Sequence, residues 1–360
     1  MSTSSAQVTM LTNAQIDEPK FQALSKHFQD MVELSFRKAL AHEGDPRTFP
    51  LSSEKPSLEA VFAHALQNVP PEKKAAAITR ALAEAKTTPT GVLSQVDLHT
   101  TAPVQEQMHA LPLPGRLTPD ELTKITRVVT RSPVNQSSAP TKFQQVELRL
   151  LKLKCVQKTR EPFEGEDEAC LDGVVVRQNG AAIQISPMSF GKFEEGEVRT
   201  FNPPTRFASI AFNDGSSNGF PQALAVTLTL IEKDSDRVAG VVNTIFDAVK
   251  AVKGDIDKAI DELLGLSSDD SSSTTSPDVK TTVFVTLVNV AINALIGLIG
   301  NLLGNWFESD VFNSQMVMVA VPSATSLFPG GSANSEDETV TFTSDHFKGK
   351  YVLTYDWRVL

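Results

Sequence analysis

The stretch QVELRLLKLKC, residues 145–155, decides the fold of the second half of this chain. Apolar and polar residues alternate up to Leu150, and the alternation resumes at Leu151 in the opposite phase. Period-two alternation is typical of a β-strand that buries one face. One extra residue at 150–151, a β-bulge, keeps every apolar side chain on that face. The sequence therefore predicts a bulged strand that opens a β domain.

Further strand candidates follow, with turn signals between them. Asn179-Gly180 favours a hairpin turn that joins residues 171–177 to residues 181–185. The other candidate strands are residues 206–212, 223–232, 315–321, 339–342 and 351–359. About eight short strands are typical of an antiparallel sandwich. The sequence does not alternate strand with helix, which argues against a doubly wound or barrel enzyme scaffold.

Outward toward the N-terminus, the spacing becomes helical. Apolar residues recur every three or four positions from Phe21 to Leu40, Ser57 can cap a second helix, and Pro71 precedes a third. Thr118-Pro-Asp-Glu121 has the pattern of a helix start. Between them, residues 87–117 are expected to be extended or turn-rich. We therefore predict an α+β protein with a helical region over residues 1–135, the polar linker 133–140 and a sandwich domain over residues 142–360.

Charge divides the chain at the same place. Residues 1–141 carry 14 basic and 14 acidic side chains, and the remaining 19 basic and 29 acidic ones carry the whole net charge of −10. A nucleic-acid binder needs a basic face, so we expect no nucleic-acid partner. The six histidines are not spaced as metal ligands, and we expect ordinary surface or capping roles for them. Because no catalytic motif is present, we do not expect an enzyme.

The sandwich is predicted to contain a helical insertion over residues 240–307. Residues 241–264 have amphipathic spacing, and residues 281–307 run for 27 positions without a charge. Asparagine and glycine form a narrow stripe along the second segment, which either packs against protein as core or lines contacts within a membrane. The residues expected to contact a partner or a membrane are Leu287, Asn289, Ile292, Asn293, Leu295, Gly297, Ile299, Asn301, Leu302, Asn305 and Trp306.

Residues 145–360 resemble a group of bacterial proteins with C2-like β-sandwich domains and a Gly/Ala/Ile-rich helical hairpin inserted late in the sandwich. The resemblance rests on LRLLKLKCVQKTREPFEGEDEACL (148–171), LTLIEKDSD (228–236), WFESDVFNSQMVMV (306–319) and GKYVLTYDW (349–357). It implies an antiparallel C2-like sandwich with a two-helix insertion. C2 domains that bind calcium carry several aspartates in loops at one end, whereas the first acidic loop here is mostly glutamate.

Acidic residues in two inter-strand loops form a candidate calcium site, because calcium takes six to eight oxygen ligands. These residues are Glu164, Glu166, Asp167, Glu168, Asp234 and Asp236. The alternative is a solvated acidic face, with no cofactor. Cys155 and Cys170 flank the first of these loops and either form a disulfide, if their strands pair, or remain unrelated thiols in a reducing compartment.

Two function classes follow from these patterns. The first is a non-catalytic binding or assembly module that acts through the sandwich and the hydrophobic hairpin, with a protein partner or a second copy of itself. The second is a membrane-active protein, either a pore-forming toxin or an injected effector, whose 241–307 hairpin inserts into lipid. The opening MSTSSAQVTM lacks the pattern of a secretory signal. We therefore expect a cytoplasmic protein, or one exported without a cleavable signal peptide.

Overall fold

A computed structural model describes most of the 360-residue chain. The described residues are 9–11, 17–52, 57–67, 69, 71–85, 94–129, 142–159, 167–176, 182–212, 220, 222–232, 238–265, 283–284, 287–288, 290–292, 294–300, 302, 312–344 and 348–360. Within them, the fold is mixed α+β. Two antiparallel sheets pack face to face as a sandwich, and five helices lie between the first strand and the second in the chain.

Helices dominate the N-terminal region, as predicted. They are α1 (Pro19–Gly44), α2 (Leu58–Gln67), α3 (Pro71–Ala85), α4 (Val104–His109) and α5 (Pro119–Val129). The Ser57 side chain accepts a 3.2 Å hydrogen bond from the Ala60 backbone N–H at the start of α2. At α5, the Thr118 N–H donates to Glu121 Oε2 at 2.7 Å, and the Glu121 N–H donates to Thr118 Oγ1 at 3.3 Å. This reciprocal pair satisfies two N–H groups that a helix start leaves unbonded.

The sandwich is built from nine strands of the described residues. They are β1 (Thr9–Leu11), β2 (Gln145–Gln157), β3 (Asp167–Val176), β4 (Ala182–Phe193), β5 (Val198–Ala211), β6 (Gln222–Glu232), β7 (Gln315–Val321), β8 (Glu338–Thr343) and β9 (Lys350–Val359). Sheet A has the order β1-β7-β6-β3-β4, and sheet B has the order β5-β2-β9-β8. The pairings in both sheets are antiparallel.

The predicted bulge lies in β2. Against β9 the pairing passes from Leu150–Tyr355 to Lys152–Thr354, so Leu151 is the extra residue, whereas against β5 it passes from Thr205 to Thr200 and the extra residues lie on β5. Leu150 and Leu153 are consequently both buried inside the sandwich. Leu151 itself is only partly buried and lies outside the sandwich core, so the bulge does not keep every apolar side chain on the inner face as predicted. The predicted hairpin is also present as β3 and β4, although its turn lies outside the described residues.

Three elements differ from the prediction. The strand expected at 206–212 begins earlier, at Val198, because β5 is an edge strand and an edge tolerates Pro203 and Pro204. Helix α4 forms within the segment 87–117 that was expected to be extended. Strand β1 lies in the region expected to be helical, and it pairs with β7 at the edge of sheet A.

Helices also lie between β6 and β7 in the chain. Helix α6 spans Val238–Leu264, and the described residues of 283–302, here called the 283–302 helix, are helical. Their described apolar side chains lie outside the core between the two sheets. They share a second core with α1, α2 and the outer face of sheet A, which contributes Val174, Ala225 and Met318. The described residues therefore form two cores, one inside the sandwich and one in this helical layer.

Candidate functional site

A cavity of about 180 Å³ opens where α1, α4 and α6 meet. Its lining combines two imidazoles, two carboxylates and one ammonium with apolar side chains. The lining residues are His27, Phe28, His109, Leu113, Asp255, Lys258, Ala259 and Glu262. Those from α6 recur every three or four positions and so lie on one face of that helix. The cavity thus joins the N-terminal helices to the helix between β6 and β7.

Asp255 is the centre of the polar contacts at this cavity. Its Oδ1 lies 3.1 Å from His109 Nε2. Its Oδ2 accepts a hydrogen bond from the Gln105 side-chain amide, which also donates to the Ala251 carbonyl oxygen at 3.1 Å. Two residues of α4 therefore hold one carboxylate of α6, and the Asp255 side chain is fixed at both oxygens.

His27 faces the same cavity from α1. Burial lowers the pKa of His27 below its usual value, and the positive charge of protonated His109 lowers it further, while Asp30 acts in the opposite direction. A partly buried imidazole with a depressed pKa is neutral at physiological pH and charges only on acidification. Among the described lining residues there is no serine or cysteine.

A shallower groove of about 490 Å³ continues from the cavity along α1. Its other wall is the segment that follows α4, with Leu111, Pro112, Leu113 and Pro114. The ion pair between Lys20 Nζ and Glu121 Oε2, at 2.8 Å, closes one end of the contact between α1 and α5. This wall is mostly apolar, whereas the α1 wall carries Lys20, Lys26, His27 and Asp30.

A second polar group is buried on the outer face of sheet A. Asp172 of β3 is 2% exposed, and its Oδ2 has no hydrogen-bond partner among the described residues. Burial raises the pKa of Asp172 to about 6, although the Gly173 N–H and the Gln184 side chain favour the charged form. Its cross-strand neighbour Thr229 is bonded to Ser314 at 2.9 Å. Sheet A therefore holds a buried titratable group.

Four of the six predicted calcium residues lie outside the described residues, namely Glu164, Glu166, Asp234 and Asp236. Asp167 and Glu168 begin β3, and Ala169 lies opposite Glu232, the last residue of β6. The two acidic segments therefore leave the same end of sheet A. Within the described part of the chain, no group of three or more His, Cys, Asp or Glu residues is arranged to hold a metal ion.

The predicted contact residues of the 283–302 helix divide into two sets. Leu287, Ile292, Leu295 and Ile299 are at most 1% exposed in the helical layer, and Leu302 packs against it. A Cβ atom built on Gly297 meets no described atom within 4 Å, so none of the described helices approaches closely at this position. Asn289, Asn293, Asn301, Asn305 and Trp306 lie outside the described residues.

The two cysteines are buried thiols in different sheets. Cys155 lies on β2 inside the sandwich, and Cys170 lies on β3. The strands β2 and β3 do not pair with each other, which was the condition for the predicted disulfide.

The contact between His109 and Asp255, with His27 on the same cavity, is the feature that sequence reasoning missed. His27 and His109 were assigned ordinary roles because neither has a second histidine or cysteine at ligand spacing. Their partner Asp255 lies in a distant segment, so no local spacing indicates the contact. A weaker signal was present, since Asp255, Lys258 and Glu262 place three charges on one face of a helix.

Among the described residues, no helix is both long enough and apolar enough to cross a membrane. In comparisons with known proteins, the chain matches no family model, no curated protein and no solved structure.

Proposed function

We propose that this protein is a non-catalytic binding or assembly module in which the sandwich carries two apolar helical segments and the N-terminal helices cover them. The supporting observation is the shared core of the helical layer. Ala248 and Ile260 of α6 and Leu295 of the 283–302 helix pack with Phe62 of α2 and Met31 of α1. A cover drawn from a distant part of the chain can be exchanged for a partner that buries the same apolar area.

The partner that fits this surface is another apolar helical face, either on a second copy of this chain or on a different protein. Helix-in-groove recognition uses apolar side chains at helical spacing. Such side chains are present on α6 at Val249, Val252, Ile256 and Ile260, all buried. The net charge of −10 opposes binding to nucleic acid.

A bilayer is the second candidate partner, and the uncharged run 281–307 favours it. In this alternative the 241–307 hairpin leaves the N-terminal helices and enters lipid. Both candidates require the same first event, which is separation of α1 and α2 from α6.

That event can be measured by the accessibility of a thiol in the helical layer. Ala248 is fully buried on α6, so Ala248→Cys, with both native cysteines replaced by alanine, places a reporter under the cover. The matched control is Leu228→Cys in the same background, because Leu228 is fully buried inside the sandwich. The rate of maleimide labelling is measured for the protein alone, at rising protein concentration, and with vesicles of phosphatidylcholine and phosphatidylserine.

We expect Ala248→Cys to be labelled faster when the protein self-associates or binds vesicles, while Leu228→Cys stays protected. Faster labelling at rising concentration indicates exchange between copies. Faster labelling with vesicles, together with dye release, indicates the membrane alternative. The proposal is wrong if the full-length protein neither self-associates nor binds vesicles and Ala248→Cys stays protected throughout.

The sandwich itself is proposed to be C2-like, with calcium as a weak ligand. The two acidic segments leave adjacent strand ends, at Asp167 of β3 and Glu232 of β6, as such a site requires. Titration calorimetry at about 1 mM calcium, the weak end of the range for protein modules, tests this. If the wild type shows no heat of calcium binding, or if Asp234→Asn leaves that heat unchanged, calcium is removed from the proposal.

A further inference from the structure

The contact between α1, α4 and α6 has the geometry of a proton-sensitive joint. We call it the histidine joint and define it as His27, His109 and Asp255 around their shared cavity. His109 and Asp255 are 3.1 Å apart, and His27 faces them from α1. Two imidazoles on different helices thus line one small cavity, while only one of them has a carboxylate partner.

The charges around the cavity change sign when both imidazoles are protonated. The other charged groups that line it are Asp255, Lys258 and Glu262 of α6, while Lys20, Lys26 and Asp30 of α1 line the adjoining groove. With neutral imidazoles, the carboxylates of the cavity lining exceed its ammonium groups by one. With both protonated, the positive charges of the lining exceed its negative charges by one. Asp30 is already paired with Lys26, so it offers His27 little compensation.

A positive charge on His27 is the unfavourable one at this cavity. The His109 imidazole lies against a carboxylate, with its Nε2 3.1 Å from Asp255 Oδ1. A proton on His27 is placed in a partly buried position and faces protonated His109 across the cavity. When α1 separates from α4, His27 regains water and loses this repulsion. Opening therefore takes up a proton, and acidification favours the open form.

We propose that the histidine joint is a pH-sensitive switch that loosens the N-terminal cover from α6 on acidification. The sign follows from the direction of the His27 shift. The pKa of His27 is lowered in the closed form, so closure is fully favourable above the ordinary histidine range and weakens as pH falls through it. The loosening itself is independent of the proposed function. Its consequence, that the apolar face of α6 is released to bind a partner, rests on the proposed function.

The test is amide hydrogen exchange of the full-length protein at about pH 7.5 and about pH 5, which bracket histidine titration. Protection factors are corrected for the intrinsic pH dependence of exchange. The test variant is His27→Gln, which cannot gain a proton. The control is His64→Gln, which removes an exposed histidine on α2. Amides of β2 and β9 in sheet B report any global unfolding.

In the wild type and in His64→Gln, we expect protection of α1, α4 and α6 to fall several-fold on acidification while sheet B stays protected. In His27→Gln the fall should be absent. The inference is overturned if wild-type protection in these helices does not change, or if His27→Gln loses protection as the wild type does. If the joint opens but the acidified protein neither self-associates nor binds vesicles, the switch stands and the proposed function fails.

Discussion

The backbone N–H of Leu117 donates a 2.8 Å hydrogen bond to the carbonyl oxygen of Leu263, in the last turn of α6. This bond continues the line of contacts that Gln105 and His109 make further along the same helix. The segment from α4 to α5 is thereby tied along much of α6. The end of α6 should be sensitive to substitution for this reason.

Gly265 follows the last turn of α6 with a φ of +67°, a conformation that glycine adopts without strain. We expect Gly265→Ala to lower the free energy of unfolding by about 1 kcal/mol. Gly254→Ala is the matched control, because Gly254 is inside α6 with open space around its Cα. That variant should gain up to about 1 kcal/mol from helix propensity. Urea denaturation measures both, and equal effects of the two variants would contradict the assignment.

Leu295 tests whether the 283–302 helix is core. Its side chain is 1% exposed, so Leu295→Asp should cost about 4 kcal/mol or more and unfold the protein. Gly297→Ala, two residues away, should fold normally, since an added methyl meets no described atom. Circular dichroism and thermal melts distinguish the two variants. A folded Leu295→Asp variant with a wild-type melting temperature would show that this face is not packed.

Lys38 and Glu59 form a buried pair that joins α1 to α2. Lys38 Nζ donates to the carbonyl oxygens of Thr100 and Ala102 at 2.9 Å and lies 4.0 Å from Glu59 Oε1, which accepts from the Val104 N–H. Lys38→Met should cost about 3–5 kcal/mol, because it leaves a buried carboxylate without its cation.

Glu59→Gln supplies the second arm of a double-mutant cycle. The glutamine can still accept from Val104, and Lys38→Met/Glu59→Gln should lose less stability than the sum of the single variants. Denaturant unfolding of all four proteins gives the coupling energy. Strict additivity would mean that the two charges do not interact.

Asp172 should make stability depend on pH. Its pKa is raised to about 6 in the folded protein, so the folded state holds a proton that the unfolded state has released. The stability that this proton contributes is lost as pH rises from about 4 to about 6. Asp172→Asn stays neutral and does not lose this stability, so its stability relative to the wild type should be up to about 3 kcal/mol higher above that window than at low pH.

The measurement for Asp172 is urea unfolding across this pH range, with Asp337→Asn as the control at an exposed carboxylate. The difference in pH dependence is the readout, because an asparagine amide at the Oδ2 position also lacks a partner. If stability depends on pH in the same way in the wild type and in Asp172→Asn, folding does not raise the pKa of Asp172.

Local rules predicted much of the fold. The reversal of phase at Leu151 located the bulge in β2, and the Thr118–Glu121 spacing located the start of α5. Both signals lie within a few residues of the structure that they specify. The start of β5 escaped prediction because proline excludes a central strand, and only the sheet order reveals that β5 is an edge.

The candidate site was much less predictable than the fold. Asp255 is separated from His109 in the chain by α5 and by strands β2 to β6, and no local spacing links the two residues. Their contact exists because α4 and α6 pack in the helical layer, which is a tertiary property. The same holds for Asp172, whose place on an alternating strand does not reveal that helices cover that face of sheet A.

Strands β6 and β7 are neighbours in sheet A although residues 233–314 separate them in the chain. Closing an unstructured loop of this length costs about 4 kcal/mol of chain entropy on the ideal-chain scaling. Helix α6 relies on local contacts, so its formation before β7 pairs would shorten the loop that must close. Substitutions in α6 should then slow refolding, whereas substitutions on β7 should chiefly speed unfolding, which stopped-flow chevron analysis can measure. The order in which this sandwich assembles would therefore be set by a segment that lies outside both of its sheets.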